Sequence, residues 1–214
     1  MLIYLTSISN LKLMNNAVLE KYPQNLENID LICGIDEVGR GCLAGPVYAS
    51  AVILPKHFTS EIIKDSKKLS EKKRILAFNE IKENALHWSF GFVTPQEIDN
   101  INIQRATHLA MHKAIKNLGV LPQHLLVDGN TFDKYKSIPH TCVTKGDNKF
   151  LPIAAASIVA KVIRDKYMVD IHENYPNYKW DSNKGYGSKD HINTILSKGV
   201  TPHHRDTFLK KILS

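Results

Sequence analysis

A short apolar run that ends in two adjacent carboxylates and a glycine-rich turn constrains the fold of this chain more than any other segment. Residues 31–35 read LICGI, the pattern of a buried strand, and Asp36 and Glu37 follow directly. A buried strand offers no water to solvate two neighbouring carboxylates, so they must lie at its edge, be protonated or be neutralised by cations. The chain must therefore open the end of a core strand onto a polar site.

Strand geometry adds a complication, because neighbouring side chains on a regular strand point to opposite faces. Either the strand ends or bulges at Asp36, or Glu37 contributes partly through its backbone. The alternative is an ordinary corner between two strands whose acidic pair lies on the surface.

The turn after the acidic pair is rich in glycine, with Gly39, Arg40 and Gly41 followed by Gly45 and Pro46. Glycine tolerates positive φ and has no side chain, so the backbone of such a turn can approach a ligand closely. Its N–H groups suit a phosphate, and Arg40 adds a charge-assisted donor. We therefore predict an anion-binding turn beside the acidic pair.

The composition is that of a globular protein with a basic surplus. The 214 residues are 43% apolar and 23% charged, with a net charge of +7. We predict a single domain over residues 30–214, preceded by an extension over residues 1–29 that forms a short helix or a loose arm. The positive charge suits a polyanionic partner, but many basic proteins bind no nucleic acid.

The cysteines and the hydropathy favour a cytoplasmic protein with no membrane association. Cys33, Cys42 and Cys142 are odd in number and lack C-x-x-C spacing, which indicates reduced thiols and neither a disulfide framework nor a zinc site. Residues 1–13 have no basic start and no clear cleavage site of a signal peptide. No apolar run approaches the roughly 18 residues that a membrane span needs.

The remaining periodicity predicts an α/β chain. A second strand should run from Val47 to Leu54 as a hairpin partner of the first. A helix capped by Ser70 should reach about Ala85 and turn Ile75, Phe78, Ile81 and Ala85 inward, and a later helix capped by Asp99 or Asn100 should reach Leu118 with Ile103, Ala106, Ala110, Ala114 and Leu118 inward. Further strands are predicted at Trp88–Val93, Leu125–Asp128 and His140–Val143, and further helices from Pro152 and near Thr207–Leu213.

A second predicted strand also ends in an acidic residue, as the first strand of the domain does. The run Leu125–Val127 ends in Asp128, and acids at the ends of neighbouring strands meet at the rim where open α/β sheets form their sites. Asp147 stands just before the helix from Pro152, where it could face the same site. The alternative for Asp147 is a turn-former or a partner of the helix dipole.

Five further positions have a functional and a structural interpretation. Lys67 and Lys68 precede the first helix and suit a phosphate backbone, or they belong to a solvated loop. Ser157 and Lys161 lie on one helix stripe with Asp165, and Lys161 could simply pair with that acid. Tyr186 lies between two glycines, which suits stacking on a base or sugar, or it packs on the core.

The order of these motifs resembles one known family. GIDEVGRGCLAGPV followed by DSKKLS, LLVDGN, KGD, AAASIVAKVIRD and KGYGS, over about residues 31–206, is similar to the type 2 ribonucleases H, the bacterial ribonuclease HII family. The resemblance implies a ribonuclease-H-like mixed sheet flanked by helices, with a C-terminal helical segment. It also implies cleavage of the RNA strand of RNA–DNA hybrids and incision 5′ of single ribonucleotides embedded in duplex DNA. We expect the protein to act as a monomer.

The resemblance implies specific roles for the motif residues. The metal-binding, catalytic acids match Asp36, Glu37, Asp128 and Asp147, and the turn that reads the ribonucleotide matches Gly39, Arg40 and Gly41. The tyrosine that faces the substrate matches Tyr186, while positions near the substrate backbone match Lys67, Lys68, Ser157 and Lys161. Cys42 departs from the proline or alanine of many members, which bears only on the stiffness of the turn.

Four carboxylates in one site need counter-charge, which two divalent ions about 3.5–4 Å apart would supply. Oxygen ligands favour Mn²⁺ or Mg²⁺ over zinc. Hydrolysis would then leave a 3′-hydroxyl and a 5′-phosphate.

Two other classes of protein stay open at the level of sequence. A non-catalytic basic nucleic-acid-binding domain would explain the charge and Tyr186, but it leaves four acids that oppose phosphate binding. A nucleotide-binding phosphotransferase would use the glycine turn, yet GRGCLAGP lacks the lysine–serine ending of a P-loop.

Overall fold

The computed structural model describes residues 19–214. The predicted N-terminal helix or arm falls largely on residues 1–18, outside the described residues. From residue 19 to residue 29 the chain crosses the start of the domain, where Glu20 N–H donates to Lys149 O at 2.8 Å and Leu151 N–H donates to Glu20 O at 2.7 Å. The division of the chain at residue 29 stays a prediction.

Five strands form one mixed sheet, as the sequence predicts. The strands are β1 (Ile32–Val38), β2 (Val47–Ile53), β3 (His87–Val93), β4 (His124–Asp128) and β5 (His140–Val143), and their order in the sheet is β3-β2-β1-β4-β5. The first three pair in antiparallel fashion, which confirms the hairpin. β1 and β4 are parallel neighbours, as are β4 and β5.

Seven α-helices lie in the described part of the chain: α1 (Glu71–Asn84), α2 (Pro95–Ile101), α3 (Ile103–Asn117), α4 (Leu151–His172), α5 (Trp180–Asn183), α6 (Lys189–Lys198) and α7 (Asp206–Leu213). Ser70 caps α1 by accepting from Lys73 N–H, as predicted. None of the helices within residues 19–214 combines the length and the apolar character that a membrane span requires.

The single helix predicted from Asp99 or Asn100 to Leu118 is wrong. Thr94 starts α2 through a capping box with Glu97, and Asn102 interrupts the helix with φ of 67°. The Asn102 side chain then accepts from Arg105 N–H and begins α3, so two caps within nine residues of sequence outweigh the continuous periodicity. Helices α5 and α6, which are short and carry many polar residues, were not predicted from the sequence.

The inward faces were predicted correctly for α3 and only partly for α1. Ala106, Ala110 and Ala114 are fully buried against the sheet. On α1, Ala77 and Ile81 are buried, whereas Ile75 is 45% exposed. The reason is that α1 packs against α4 through the face that carries Ala77 and Ile81.

The sheet lies between two helical layers, and its centre is in very close contact with α4. The α3 layer covers one face, and α4 with α1 covers the other. A Cβ added to Gly34 on β1 would lie 2.1 Å from the Pro152 carbonyl carbon, so only glycine fits there. The alanines at 154–156 let α4 lie flat on β1 and bring the helix N-terminal half to the acidic end of the strand.

A third apolar cluster belongs to the C-terminal segment. Met168 of α4, Trp180, Ile195 and Leu209 pack around Ala44 of the glycine turn. The C-terminal helices therefore hold that turn from behind.

Candidate active site

The acidic site forms where β4 ends, and β1 continues past it. Contrary to one of the sequence alternatives, β1 neither ends nor bulges at Asp36, since it pairs with β2 as far as Val38 and Tyr48. The parallel ladder between β1 and β4 stops at Ile35 and Val127. Asp36 and Asp128 therefore lie side by side at the point where the sheet opens, as predicted from the two strand endings.

Regular strand geometry sends Asp36 and Glu37 to different surroundings. Asp36 lies on the α4 side, where Ser157 hydrogen-bonds its carboxylate. Glu37 accepts from Arg40 Nη1 at 3.4 Å, and Arg40 Nη2 in turn donates to Gln104 Oε1 of α3 at 2.9 Å.

Asp36 is the most strongly perturbed acid of the site. It is only 5% exposed, and burial raises its pKa well above the usual range, with the charges of Glu37 and Asp128 adding to the effect. Hydrogen bonds from Ser157 and from the Glu37 N–H, the latter at 2.7 Å, oppose the rise without cancelling it.

Glu37 and Asp128 are perturbed in the same direction. Burial raises the pKa of Glu37 against the opposing charge of Arg40, and burial also raises the pKa of Asp128. Asp128 Oδ1 accepts from Gly146 N–H at 2.7 Å, which ties β4 to the loop that carries Asp147.

Asp147 is 4% exposed and stands in the 3₁₀ turn Gly146–Asn148, next to Asp128. Its Oδ1 accepts from Asn148 Nδ2 at 3.0 Å, and the same amide donates to Asp65 Oδ2 at 3.2 Å. The residue before α4 is Phe150, whose side chain does not cap the helix. The described hydrogen bond of the Asp147 carboxylate is with Asn148, and none is described with an N–H group of the α4 terminus.

The site is rich in carboxylate and poor in cations. Within residues 19–214, Glu37 alone of the four acids has a basic partner within 4 Å, and no three acid, histidine or cysteine side chains are grouped closely enough to form a complete metal cage. A set of carboxylates that are buried or half-buried and repel one another suits hard divalent ions such as Mg²⁺ or Mn²⁺. The residues therefore fit such ions in donor chemistry.

The glycine turn faces the same opening and presents N–H groups. Gly39 has φ of +90°, and a Cβ on it would lie 2.2 Å from Arg164 Nε, so glycine is required there by the fold. Gly41 has open space where a Cβ would project. In the described residues the N–H groups of Arg40 and Gly41 have no hydrogen-bond acceptor.

Tyr186 lies at the border between surface and interior. Its residue is 42% exposed, its ring centroid is 5.9 Å from Arg164 Cζ, and burial of the hydroxyl beside Cys42 raises its pKa to about 12. The ring is thus supported from below and open on one side, which is compatible with stacking on a substrate.

The remaining predicted residues differ in what they contact. Lys67 and Lys68 are exposed beside the acids, where Lys67 places positive charge near Asp128 and Lys68 donates to Asn148 Oδ1. Ser157 bonds Asp36 and also lies 2.9 Å from Ser66 Oγ. Lys161 Nζ is 2.7 Å from Asp165 Oδ1, which confirms the ion pair that was the structural alternative.

Several residues of the site were not found by the sequence reasoning. They are Asp65, Gln104, Asn148, Arg164 and Arg205. Asp65 and Arg164 stand inside the recognised motifs DSKKLS and AAASIVAKVIRD, and Asn148 directly follows KGD, so their positions were usable signals. Nothing local in the sequence distinguishes Arg205 from a surface arginine or shows that Arg164 is buried.

Comparison with known proteins identifies the family of this chain. The family model described as Ribonuclease HII matches residues 33–211. Proteins called Ribonuclease HII are 59% identical over 182 residues in Bacteroides thetaiotaomicron (85% of this chain and 91% of that protein) and 56% identical over 182 residues in Phocaeicola vulgatus (85% and 90%). The crystal structure of the ribonuclease H2 from Pyrococcus horikoshii is 25% identical and superposes with a TM-score of 0.72 over 85% of this chain and 96% of that one. The chain therefore belongs to the ribonuclease HII family.

Proposed function

We propose that this protein incises duplex DNA 5′ of single embedded ribonucleotides, in addition to acting on RNA–DNA hybrids, with two divalent ions at the four acids. As a ribonuclease HII it is a metal-dependent nuclease, and ribonuclease H activity on RNA–DNA hybrids follows from its family. The observation that carries the proposal is the meeting of buried Asp36 and Asp147 with half-buried Asp128, none of which has a basic side chain within 4 Å in the described residues, beside an open glycine turn. We further propose that it works in the cytoplasm, since its three cysteines are free thiols, and that it acts as a monomer.

The four acids would hold the ions: Asp36, Glu37, Asp128 and Asp147. Bound there, the ions would supply the positive charge that activates water and stabilises the leaving 3′-oxygen, with Mg²⁺ or Mn²⁺ as candidates. The protein holds Asp36 and Asp128 on two paired strands, which fixes one side of the site before substrate arrives. Ser157 and Gly146 orient one carboxylate each.

Recognition of the ribonucleotide is assigned to the turn and the tyrosine. A protein distinguishes RNA from DNA at one nucleotide only through the 2′-hydroxyl. The open N–H groups of Arg40 and Gly41 can donate to the 2′-hydroxyl or the adjacent phosphate, and the Tyr186 ring can pack on the neighbouring sugar or base. Lys67 and Lys68 would contact phosphates on the other side of the acids.

The decisive experiment compares wild type with Asp128→Asn on two substrates, a duplex with one ribonucleotide and an RNA–DNA hybrid. Asn keeps the oxygen that accepts from Gly146 N–H, so the variant should fold and bind while losing more than tenfold in turnover, about 1.4 kcal/mol or more. Product ends of 3′-hydroxyl and 5′-phosphate, and dependence on added Mg²⁺ or Mn²⁺, are expected. Binding without cleavage by wild type would instead support the non-catalytic nucleic-acid-binding domain.

A further inference from the structure

Two buried arginines lie behind the recognition turns. Arg164 of α4 and Arg205, directly before α7, are both 0% exposed. Arginine is almost never fully buried without a paired acid. Within the described residues, neither guanidinium has a carboxylate within 4 Å. Their charge is therefore satisfied in another way.

Arg205 directs its guanidinium at backbone carbonyls of the glycine turn. Nη2 donates to Gly39 O at 2.6 Å and to Gly45 O at 2.8 Å, while Nη1 donates to Arg40 O at 2.8 Å. Nε donates a further bond to Gly45 O at 3.0 Å. One side chain thus gathers both ends of the turn. Burial lowers its pKa to about 10, so it remains charged at neutral pH.

Arg164 joins the same turn to the segment that carries Tyr186. Its Nε donates to Pro46 O at 3.0 Å and its Nη2 to Ala44 O at 3.1 Å, while Nη1 donates across to Lys184 O at 2.8 Å. The Tyr186 ring lies over the same guanidinium. The two recognition elements therefore share one rigid support.

This arrangement sets the direction of the peptide dipoles. The carbonyls of Gly39 and Arg40 point inward to Arg205, so the following N–H groups, on Arg40 and Gly41, point away from it and stay without acceptors in the described residues. Two buried positive charges that have no carboxylate within 4 Å in the described residues also favour a negative group at the outer side of the turn. A neutral side chain could not supply both effects.

We infer that Arg164 and Arg205 are positioning residues for ribonucleotide recognition, which hold the 39–46 turn and the Tyr186 segment in register and aim the Arg40 and Gly41 N–H groups at the substrate. The inference rests on the proposed function, because it assigns the recognition to those N–H groups. Neither arginine contacts the substrate in this scheme.

The test uses Arg205→Lys, which keeps the charge but cannot bridge three carbonyls with a planar fork. The matched control is Leu209→Ala, which removes a buried side chain from the neighbouring apolar cluster without touching a carbonyl of the turn. For each protein three quantities are measured: the melting temperature, kcat and KM on a duplex with one ribonucleotide, and the ratio of affinities for that duplex and for an all-DNA duplex of the same sequence.

For a similar loss of melting temperature, Arg205→Lys should lower kcat/KM at least tenfold more than Leu209→Ala does. It should also reduce the ratio of affinities for the ribonucleotide-containing and all-DNA duplexes at least fivefold. The amide signals of residues 39–41 in a ¹⁵N-labelled sample should move in Arg205→Lys and stay in place in Leu209→Ala. An affinity ratio within twofold of wild type, or losses equal to those of Leu209→Ala, would overturn the inference.

If Arg205→Lys does not fold, Arg164→Lys is measured in the same way. Its amide signals should then move at residues 44–46 and 184–186 as well as at residues 39–41. The failure of the proposed function is separate, because it would show in wild type as equal affinity for the two duplexes. In that event the amide signals still test whether the guanidinium groups hold the turns. Unmoved signals in both Arg205→Lys and Arg164→Lys would show that they do not.

Discussion

At the scale of single residues, the site depends on which glycines the fold needs and which it does not. Gly39 has a left-handed φ and abuts Arg164, whereas Gly41 has neither constraint. The fold therefore gives no reason for glycine at 41. Close approach of a substrate would give one.

We predict opposite outcomes for Gly39→Ala and Gly41→Ala. The first should lower the melting temperature by several degrees, since a Cβ is strained at φ of +90° and collides with Arg164, a cost of at least ~1 kcal/mol. The second should melt like wild type but lose roughly tenfold or more in kcat/KM on a single-ribonucleotide duplex. Thermal melting and steady-state kinetics check both, and a fully active Gly41→Ala would contradict close approach at this position.

Tyr186 yields the second prediction at this scale. If its exposed ring packs on the substrate, Tyr186→Ala should reduce cleavage by a stacking-sized ~1–3 kcal/mol while the affinity for Mn²⁺ barely changes. Tyr186→Phe isolates the hydroxyl, which lies beside Cys42. Normal cleavage by Phe assigns the effect to the ring. A large drop in melting temperature for Ala with normal cleavage would make Tyr186 a structural residue.

At the scale of elements, side chains that donate hydrogen bonds to backbone carbonyls stabilise the sheet edge and the C-terminal helices. On the edge strand β3, Lys113 Nζ donates to Phe92 O at 3.0 Å and Asn117 Nδ2 donates to Phe90 O at 2.9 Å. These bonds from α3 occupy acceptors that another strand would need, so they protect the edge from unwanted pairing.

The link between α6 and the segment before α7 is a pair of buried histidines with fixed tautomers. His204 Nδ1 accepts from Thr201 N–H at 2.9 Å, so its proton is on Nε2, which donates to His191 Nε2 at 3.2 Å. Trp180 Nε1 also donates to His191 Nε2, at 3.1 Å, so His191 carries its proton on Nδ1 and donates to Tyr186 O at 2.9 Å. Both rings must be neutral for this chain of bonds to hold.

Acid should therefore loosen the C-terminal segment. Burial lowers the pKa of His191 and lowers that of His204 to about 4. Because the folded-state pKa is depressed below the usual 6.5, the contribution of His204 to stability is complete above pH 6.5 and is lost as the pH falls toward 4. The loss by pH 5 is about 2 kcal/mol, and melting temperatures at pH 7 and pH 5 measure it.

The control for this prediction is His204→Asn, which retains an acceptor near the Thr201 N–H but does not titrate. Its melting temperature should fall less between pH 7 and pH 5 than that of wild type, although it starts lower. Equal pH dependence in the two proteins would show that His204 does not cause the loss.

At the scale of the whole molecule, a chain of net charge +7 must bring a polyanion to a site lined with acids. The basic residues that meet the acids are at the border of the site, with Lys67 and Lys68 both exposed. Attraction at the rim and metal charge at the centre would together overcome the repulsion between carboxylates and phosphate.

Affinity for an RNA–DNA hybrid should consequently fall steeply with salt, because each lysine–phosphate contact releases a counterion. A plot of log affinity against log salt for Lys67→Gln should be shallower than that of wild type by about one unit, with little change in preference among sequences. Lys198→Gln, which alters a lysine at the far end of α6, is the matched control. A flat salt dependence in wild type would count against phosphate contacts altogether.

Local patterns of polarity, glycine and capping residues were sufficient to predict the strands, the acids at their ends, the glycine turn and the Ser70 cap of α1. The pairing of Asp36 with Asp128 also followed, since neighbouring strands bring their ends together. The separation of α2 and α3 is also encoded locally, by the caps at Thr94 and Asn102. Tertiary structure alone decided that β1 runs on past its acids and that Glu37 faces Arg40. It alone decided, too, that Arg164 and Arg205 lie in the interior, because their partners are backbone carbonyls up to 166 residues away, and a carbonyl leaves no signature in a sequence.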